Sequence, residues 1–413
     1  MTPTLGGVPK DALASEAASA IDRARDRLVE LSSEIHRNPE LAFQERKASA
    51  LLASFLGERG FAVTMPYAGI PTSFRADARS AGPTVAILCE YDALPDIGHA
   101  CGHNLMAMMG VAAGLGVRAA SDRLDGNVAV IGTPAEEGEG GKIALLDAGG
   151  FEDVDAAMIV HAGSRTLAYR RSLASVRVDV EFRGKAVHAA SQPDQGINAL
   201  DGLILTFVGV NALRQQLRPD ARVMGVITNG GSAANIIPEY AAGKFSLRAL
   251  DRGYRDELIE RFSQVARGAS SATGAAVNVS VRRNSAYDNM VPNRVMADRY
   301  AEHLRGLGVE VAHESPDERM GSTDMGNVMQ ALPGIHPYIK IAPEGTPGHS
   351  LAFRDAAVTA EAHEAALKAA KAMAFLTIEL LRDRSLLRSV KDEFEQQRRR
   401  GLVRGAAQAA RKT

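Results

Sequence analysis

The chain has 413 residues, a length at which two domains are more common than one. Apolar residues make up 46% and charged residues 23%, as in ordinary globular proteins, and the formal net charge is −1. This balance gives no electrostatic basis for binding nucleic acid or an anionic membrane, and no apolar stretch reaches membrane-spanning length. With only two cysteines and no signal-peptide pattern, we expect a cytoplasmic protein.

Helices are predicted for the first part of the chain, from Ala18 to Gly60, with a break at Pro39. From Phe61 to Ala162, apolar strands alternate with helices. This alternation is typical of an α/β fold with a mainly parallel sheet covered by helices. The same pattern resumes after Pro292 and ends in a helix over 361–381.

The pattern changes over residues 174–289. Val176, Val178 and Val180 alternate with polar residues, as in a strand with one exposed face. The segments that follow predict a helix (197–216), two strands (222–228 and 241–250), a helix (254–272) and a strand (276–281). This β-α-β-β-α-β order is ferredoxin-like and predicts an inserted domain. The first domain is then discontinuous, over 1–173 and 290–413.

Four apolar segments predict strands, over 84–89, 127–131, 156–160 and 338–341, and each is followed by Cys, His or Glu. The residues that follow them are Cys101 and His103, Glu136 and Glu137, His161, and His349. Ligands bind beyond the carboxyl ends of the strands in open α/β sheets, so we expect these side chains to converge. Imidazole, thiolate and carboxylate together suit divalent Zn, Mn or Co.

The number of these residues indicates two metal ions. The ligands that we predict are Cys101, His103, Glu137, His161 and His349. A single catalytic site uses three protein ligands and a water, whereas this set with Cys101 shared between two ions suits a two-metal site. Adjacent Glu136 and Glu137 point to different sides of a strand end, so one can bind metal while the other accepts a proton from a metal-activated water. The pattern therefore predicts metal-assisted hydrolysis.

Several neighbouring residues have simpler explanations. Cys89 lies inside an apolar strand and is expected to act as a small buried hydrophobe. Asp92 either holds His103 in its ligating tautomer or is a turn residue ahead of a proline. Cys101 precedes a helix-like run, whose N-terminus favours a thiolate. His99 and His336 are not expected to bind metal.

Two other functions stay open on these residues. A cysteine hydrolase would use Cys101 as nucleophile and His103 as base, and it would keep its activity in EDTA. A non-catalytic, metal-dependent binding protein would have no use for a second carboxylate beside the ligands, which makes Glu136 an argument against it.

The chain resembles the dinuclear-metal aminoacylase/carboxypeptidase amidohydrolases, a metallopeptidase family with hippurate, auxin-conjugate and aminobenzoyl-glutamate hydrolases. The matching motifs are His36-Arg-Asn-Pro-Glu-Leu41, Tyr91-Asp-Ala-Leu-Pro95, Gly98-His-Ala-Cys-Gly-His103, Pro134-Ala-Glu-Glu137, Gly184-Lys-Ala-Val-His188, Asn235-Ile-Ile-Pro238, Gly321-Ser-Thr-Asp-Met325 and Gly348-His349. They occur in the family's order. The resemblance implies a homodimer that cleaves the amide bond between an acyl or aminoacyl group and an amino acid with a free carboxylate.

The resemblance also implies roles for individual residues. The five predicted ligands would hold two divalent ions, with Cys101 as the bridge, and Glu136 would be the general base. His188, on the inserted lid or dimerisation domain, would reach the active site of the partner subunit and stabilise the oxyanion. Asn235 and Arg248 would contact the substrate, with Arg248 as a clamp for its carboxylate.

Two departures from the usual family pattern bear on the substrate. Many relatives have Asp where this chain has Asn104, and Arg-Ala-Asp-Met-Asp where it has Leu88-Cys-Glu-Tyr-Asp92. Both features resemble the branch with aminobenzoyl-glutamate hydrolase and the β-alanyl-lysine dipeptidases. The acyl group, the amino-acid side chain and the native metal are not predicted by the sequence.

Overall fold

The computed structural model describes residues 11–79, 82–315 and 320–404. These residues form two compact units. The first takes the described parts of Met1–Arg171, Met290–Arg319 and Asn327–Thr413, and the second takes Ser172–Asn289 and Met320–Gly326. The second unit thus includes a short segment beyond the 174–289 range, because the main-chain N–H of Leu173 donates to the carbonyl of Gly321 at 2.8 Å.

Three helices open the first unit: α1 (Ala12–Arg23), α2 (Arg25–Arg37) and α3 (Arg46–Gly57). The side chain of Asp11 accepts the main-chain N–H of Leu13 and so caps α1. Each helix buries one apolar stripe, as the spacing of Leu28, Leu31 and Ile35 on α2 predicts. The helix α2 ends just before Pro39, as expected.

A six-stranded sheet forms the centre of the first unit, in the order β1-β2-β4-β3-β5-β11. The strands are β1 (Ala62–Thr64), β2 (Phe74–Asp77), β3 (Thr84–Cys89), β4 (Asn127–Gly132), β5 (Ala156–Met158) and β11 (Gly334–Ile335). Neighbours from β4 to β11 are parallel, whereas β1 and β2 pair antiparallel at one edge. Every residue of β3 and β4 is buried, which explains their unbroken apolar sequences.

Two long helices pack on this sheet: α4 (His103–Ala120) and α11 (Ala360–Arg382). The helix α4 is apolar on nearly all sides because it lies between β3, α1 and α11. Shorter helices complete the unit: α5 (Gly141–Asp147), α8 (Arg294–Gly306), α9 (Met325–Ala331), α10 (Leu351–Ala356) and α12 (Arg384–Arg399). Within the described residues, no helix is long and apolar enough to cross a membrane.

The predicted strand over 338–341 lies outside the main sheet. The observed strand β12 (Tyr338–Lys340) pairs in parallel with β6 (His161–Gly163) in a separate two-stranded ribbon. Pro337 separates β12 from β11, and its carbonyl accepts the main-chain N–H of His161. His161 therefore follows the sheet strand β5, which ends at Met158, and also opens β6.

The second unit is a four-stranded antiparallel sheet with two helices. Its elements, in chain order, are β7 (Ala174–Arg183), α6 (Ala199–Arg214), β8 (Arg222–Asn229), β9 (Tyr240–Ala249), α7 (Arg252–Thr273) and β10 (Ala276–Val281). The strand order is β10-β7-β9-β8, so β8 and β10 form the edges. The alternating side chains of β7 point into a core that includes Phe245 and Phe262.

The basic C-terminal segment begins as an ordered helix. On α12, Leu387, Val390 and Phe394 are buried at helical spacing, and the basic residues of the helix are exposed. Arg411 and Lys412 lie outside the described residues.

Candidate metal centre

Two loops at the ends of neighbouring strands carry most of the predicted ligands. Cys101 and His103 stand at the N-terminus of α4, in the connection after β3, and Gly102 between them has φ 83°. A Cβ at Gly102 would lie 2.6 Å from the Cβ of Ala162, so only glycine allows this close approach. Glu136 and Glu137 follow β4, which pairs in parallel with β3. The sheet thus brings the two loops to one edge.

The predicted ligands and Glu136 form three overlapping groups. They are Cys101, His103 and His161; Cys101, Glu137 and His349; and His103, Glu136 and Glu137. In each group the potential ligand atoms lie within 4.8 Å of one another. Cys101, His103 and Glu137 each belong to two of the groups, so all three groups are linked through shared residues. Across the described residues, His99 belongs to none of them.

Asp92 connects the two ligand loops. Its Oδ1 accepts a hydrogen bond from Nδ1 of His103 at 2.9 Å, and its Oδ2 accepts the main-chain N–H of Glu137 at 2.8 Å. Because Nδ1 of His103 is used as a donor, Nε2 is the nitrogen that can bind a metal. Asp92 is therefore the orienting carboxylate, one of the two roles that the sequence left open.

His161 is held by rings and by its own backbone. Nδ1 of His161 donates to the carbonyl oxygen of Ala162 at 2.5 Å, and Nε2 lies 3.4 Å from Sγ of Cys101. The ring of Tyr338 stacks on His161 with centroids 4.7 Å apart, and the Arg170 guanidinium lies 4.0 Å from the Tyr338 centroid. His336 is buried and meets His161 edge-on at 5.4 Å. His336 thus supports a predicted ligand, which the sequence did not indicate.

His349 reaches the group from a separate loop. Its Nε2 lies 3.4 Å from Oε1 of Glu137, and its main-chain N–H donates to the carbonyl of Ala100 at 2.9 Å. The residue has φ 58°, a conformation that non-glycine residues rarely adopt and that is frequent at functional sites. The backbone contact next to Cys101 explains how this distant residue joins the group.

The electrostatics of the group favour a cation. Burial, reinforced by the charge of Glu137, raises the pKa of the Cys101 thiol well above its usual range. The helix N-terminus alone therefore does not give the expected thiolate. Burial opposes protonation of His103, but the negative charge of Cys101 in its thiolate form and that of Asp92 outweigh it and raise the pKa of this imidazole. Burial lowers the pKa of His161 to about 4, which keeps this imidazole neutral.

The residues present fit divalent metal ions. The buried atoms Nε2 of His103 and Oε1 of Glu137 make no hydrogen bond of acceptable geometry to any described residue. Buried polar atoms without such partners are costly, and metal coordination would satisfy both. The surrounding thiol, imidazole and carboxylate donors are those that Zn, Mn and Co accept.

The other three predicted site residues lie in the second unit. The carbonyl of Asn235 accepts the main-chain N–H of Ala189 at 2.9 Å, so Asn235 and His188 are neighbours. Arg248 lies on β9, opposite Ser175 of β7 and Arg222 of β8. The Nε atom of Arg248 is buried and makes no hydrogen bond to the described residues. Burial lowers the pKa of this guanidinium, with a smaller contribution from Arg177.

A family model now identifies the chain. Residues 86–375 match the model of peptidase family M20/M25/M40. The chain belongs to this peptidase family. Its resemblance to the dinuclear-metal amidohydrolases is thereby confirmed, as is the prediction of a metal-dependent amidohydrolase or metallopeptidase. The cysteine-nucleophile alternative gains no support from this match.

Named relatives cover almost the whole chain. An Xaa-Arg dipeptidase of Mus musculus is 40% identical over 399 residues, which span 93% of this chain and 92% of that protein. One of the p-aminobenzoyl-glutamate hydrolase subunits of Escherichia coli (strain K12) is 28% identical over 91% of this chain and 94% of its own. The second relative carries one of the names of the branch that the motif departures indicated.

Solved structures of the family share the fold. An aminobenzoyl-glutamate utilization protein from Klebsiella pneumoniae matches with a TM-score of 0.70 at 19% identity, over 88% of this chain and 98% of that one. A dinuclear metal-binding M20 peptidase from Bacillus subtilis matches with a TM-score of 0.67 at 20% identity, over 87% and 99% of the two chains. These similarities support the mainly parallel α/β architecture of the family.

Proposed function

We propose that the protein is a two-metal dipeptidase that cleaves the amide bond between an aminoacyl group and a C-terminal amino acid with a free carboxylate. The observation that carries the proposal is the adjacent pair Glu136 and Glu137 at the end of β4. Glu137 lies with His103 and His349, while Glu136 is buried in the same group and comes from the same loop. This arrangement would leave one carboxylate to bind metal and one to accept the proton of the reacting water.

The chain's own residues support each part of the reaction. When bound, divalent ions supply a polarised water and a Lewis acid for the substrate carbonyl. Glu136 would take the proton from that water and pass it to the leaving amine. Asp92 keeps the Nε2 atom of His103 directed at the group, and burial keeps His161 neutral. The similarity to Xaa-Arg dipeptidase favours dipeptides with a basic C-terminal residue as substrates.

The roles of the second unit are part of the proposal. The main-chain N–H of Ala190 donates to Nδ1 of His188 at 3.2 Å, so the proton of this exposed ring is on Nε2, where it can be donated. We assign His188 to the oxyanion in the partner subunit, and Asn235 and Arg248 to substrate binding. The half-buried guanidinium of Arg248, whose Nε has no hydrogen-bond partner among the described residues, suits a substrate carboxylate.

The partner that we propose for the second unit is another copy of the chain. The edge strand β8 carries exposed apolar side chains, with Val226 57% and Met224 44% exposed. On the adjacent helix α6, Ile204, Leu205 and Val208 are exposed as well. Pairing β8 with its counterpart in a two-fold dimer would cover the open edge and this apolar surface. The ferredoxin-like unit would then serve as the dimerisation and lid domain, and the two cysteines, both free, support a cytoplasmic location.

The test of the proposed reaction is Glu136→Gln. This change should leave the bound metal in place and lower kcat by roughly 10²–10⁴-fold, because the proton acceptor is lost. Hydrolysis of Xaa-Arg and Xaa-Lys dipeptides, N-acyl amino acids and aminobenzoyl-glutamate should be measured together with metal content. Glu139→Gln, on the exposed side of the same loop, is the matched control. A Glu136→Gln enzyme with full metal and near-normal kcat would refute the assignment.

A further inference from the structure

A buried ion pair lies beside the candidate metal centre. Glu90 follows β3 and Lys142 is the second residue of α5, and neither side chain is exposed to solvent. The Nζ atom of Lys142 lies 2.6 Å from Oε1 of Glu90. No role described so far requires either residue.

The second carboxylate oxygen of Glu90 faces a predicted ligand. Its Oε2 lies 3.3 Å from Nε2 of His103, the ring nitrogen that Asp92 leaves available for a metal. Glu90 therefore stands on the metal side of the His103 ring. Its negative charge can act on a bound cation at short range, and Lys142 is placed to cancel that charge.

The position of Lys142 is fixed by the second ligand loop. A Cβ at Gly141 would lie 1.7 Å from the carbonyl oxygen of Pro134, so the start of α5 packs directly on the loop that carries Glu136 and Glu137. The side chain of Lys142 thus reaches from the loop after β4 to the carboxylate of Glu90, which follows β3. The charge of Lys142 also contributes to lowering the pKa of Asp92 and of His336, which places its field within the group.

We propose that Lys142 and Glu90 are a charge-compensating positioning pair that sets the metal affinity of the centre. Lys142 holds the Glu90 carboxylate beside His103 and offsets its charge, so that the bound ions exchange and their water stays reactive. The inference rests on the proposed metal-dependent function, but it concerns the affinity for metal and not the hydrolysis itself. A structural ion pair without this role would affect stability alone.

The two single substitutions should change metal affinity in opposite directions. Lys142→Met leaves the buried Glu90 charge beside the ligands and should tighten binding of Zn or Co by roughly tenfold or more, because a charge at this range acts through an effective dielectric constant of only about 20. Glu90→Gln leaves the Lys142 ammonium without the carboxylate beside it and should weaken binding by a similar factor. The double variant should bind within about threefold of wild type, since its net charge is unchanged.

Metal dissociation constants of the metal-free proteins should be measured by competition with a chromophoric chelator, with circular dichroism to check folding. Removing one member of a buried pair can prevent folding. If Lys142→Met does not fold, the comparison of Glu90→Gln with the double variant isolates the same Lys142 charge, and the double variant should bind more tightly. Weaker binding in both single variants without recovery in the double, or no change in any, would overturn the proposal.

The outcome is separable from that of the proposed function. Wild-type protein that binds two ions but hydrolyses none of the amide substrates would refute the proposed function, while the opposite shifts of the two variants would still support the pair's role. Active wild-type protein, with unchanged metal affinities in all three variants, would support the proposed function and refute the role of the pair.

Discussion

The buried carboxyl of Glu45 should make the stability of the protein depend on pH near neutrality. Its Oε1 accepts the main-chain N–H groups of Phe43 at 3.0 Å and Ala135 at 2.8 Å, and its Oε2 makes no hydrogen bond to the described residues. Ala135 has φ 59° and directly precedes Glu136. Glu45 therefore holds the strained turn that positions the two adjacent glutamates. Burial, with a contribution from the charge of Asp92, raises the pKa of Glu45 to about 7.

The magnitude follows from the difference between the two pKa values. A rise from 4.5 to about 7 is about 2.5 units, which at about 1.36 kcal/mol per unit is about 3 kcal/mol. Because the folded protein binds this proton more tightly than the unfolded chain does, the stabilisation is fully present below about pH 4.5 and is lost as the pH rises through about 7. Glu45→Gln keeps an acceptor for both N–H groups and removes the titration.

The assay is urea unfolding of wild type and Glu45→Gln, followed by circular dichroism from about pH 5 to about pH 8 with EDTA present. The free energy of unfolding of wild type minus that of Glu45→Gln should fall by about 2.5 kcal/mol across this range, because part of the stabilisation is already lost at about pH 5. Glu40→Gln is the control, because Glu40 also accepts main-chain N–H groups but is partly exposed. Parallel pH profiles of wild type and Glu45→Gln, within about 0.5 kcal/mol, would refute the reasoning.

Three further predictions address the metals, the loop packing and the dimer. Cys101→Ala should lower metal content and the midpoint of thermal unfolding in the metal-loaded protein, and a variant with two bound ions and full activity would contradict a bridging thiolate. Gly141→Ala should cost roughly 1–3 kcal/mol or more in urea unfolding and weaken metal binding, because its Cβ would overlap the carbonyl of Pro134. Mixed and exchanged Glu136→Gln and His188→Ala subunits should recover about a quarter of wild-type activity, since half the dimers then hold one intact site. Val226→Asp should abolish both the dimer in analytical ultracentrifugation and this recovery of activity. If mixtures that carry Val226 stay as inactive as their parents, His188 acts in the site of its own chain or outside catalysis.

The sequence indicates the ligands because their types and positions are local features. Cys101, His103 and the two glutamates each follow an apolar strand. The parallel pairing of β3 with β4 then brings the two loops to the same edge of the sheet. The strand boundaries of the second unit are also close to those expected, since Val176 to Phe182 alternate as β7 does. The separate ribbon of β6 and β12 was missed, because a short apolar segment does not reveal which strand it pairs with.

The residues that support the ligands could not be predicted in the same way. Glu45, Lys142, His336 and Tyr338 act through contacts with partners far away in the chain, and each has an ordinary local sequence. Lys142 in particular reads as a surface lysine at the start of a helix, yet it is fully buried. The only local signal was Glu90 itself, a carboxylate directly after a buried strand, at a position where the usual family pattern has Asp.

The hydrogen bonds of Asp92 connect the geometry of the ligands to the pairing of the two central strands. One carboxylate joins the ring of His103 to the backbone of Glu137, and these residues come from opposite sides of the β3–β4 pairing. Both oxygens of Asp92 accept a hydrogen bond. The amide N–H₂ of an Asn at this position would therefore face another donor, either Nδ1–H of His103 or the main-chain N–H of Glu137. The ligand geometry therefore depends on the register of the two central strands. Metal uptake during refolding, followed with a colorimetric indicator, should therefore report on the pairing of β3 with β4.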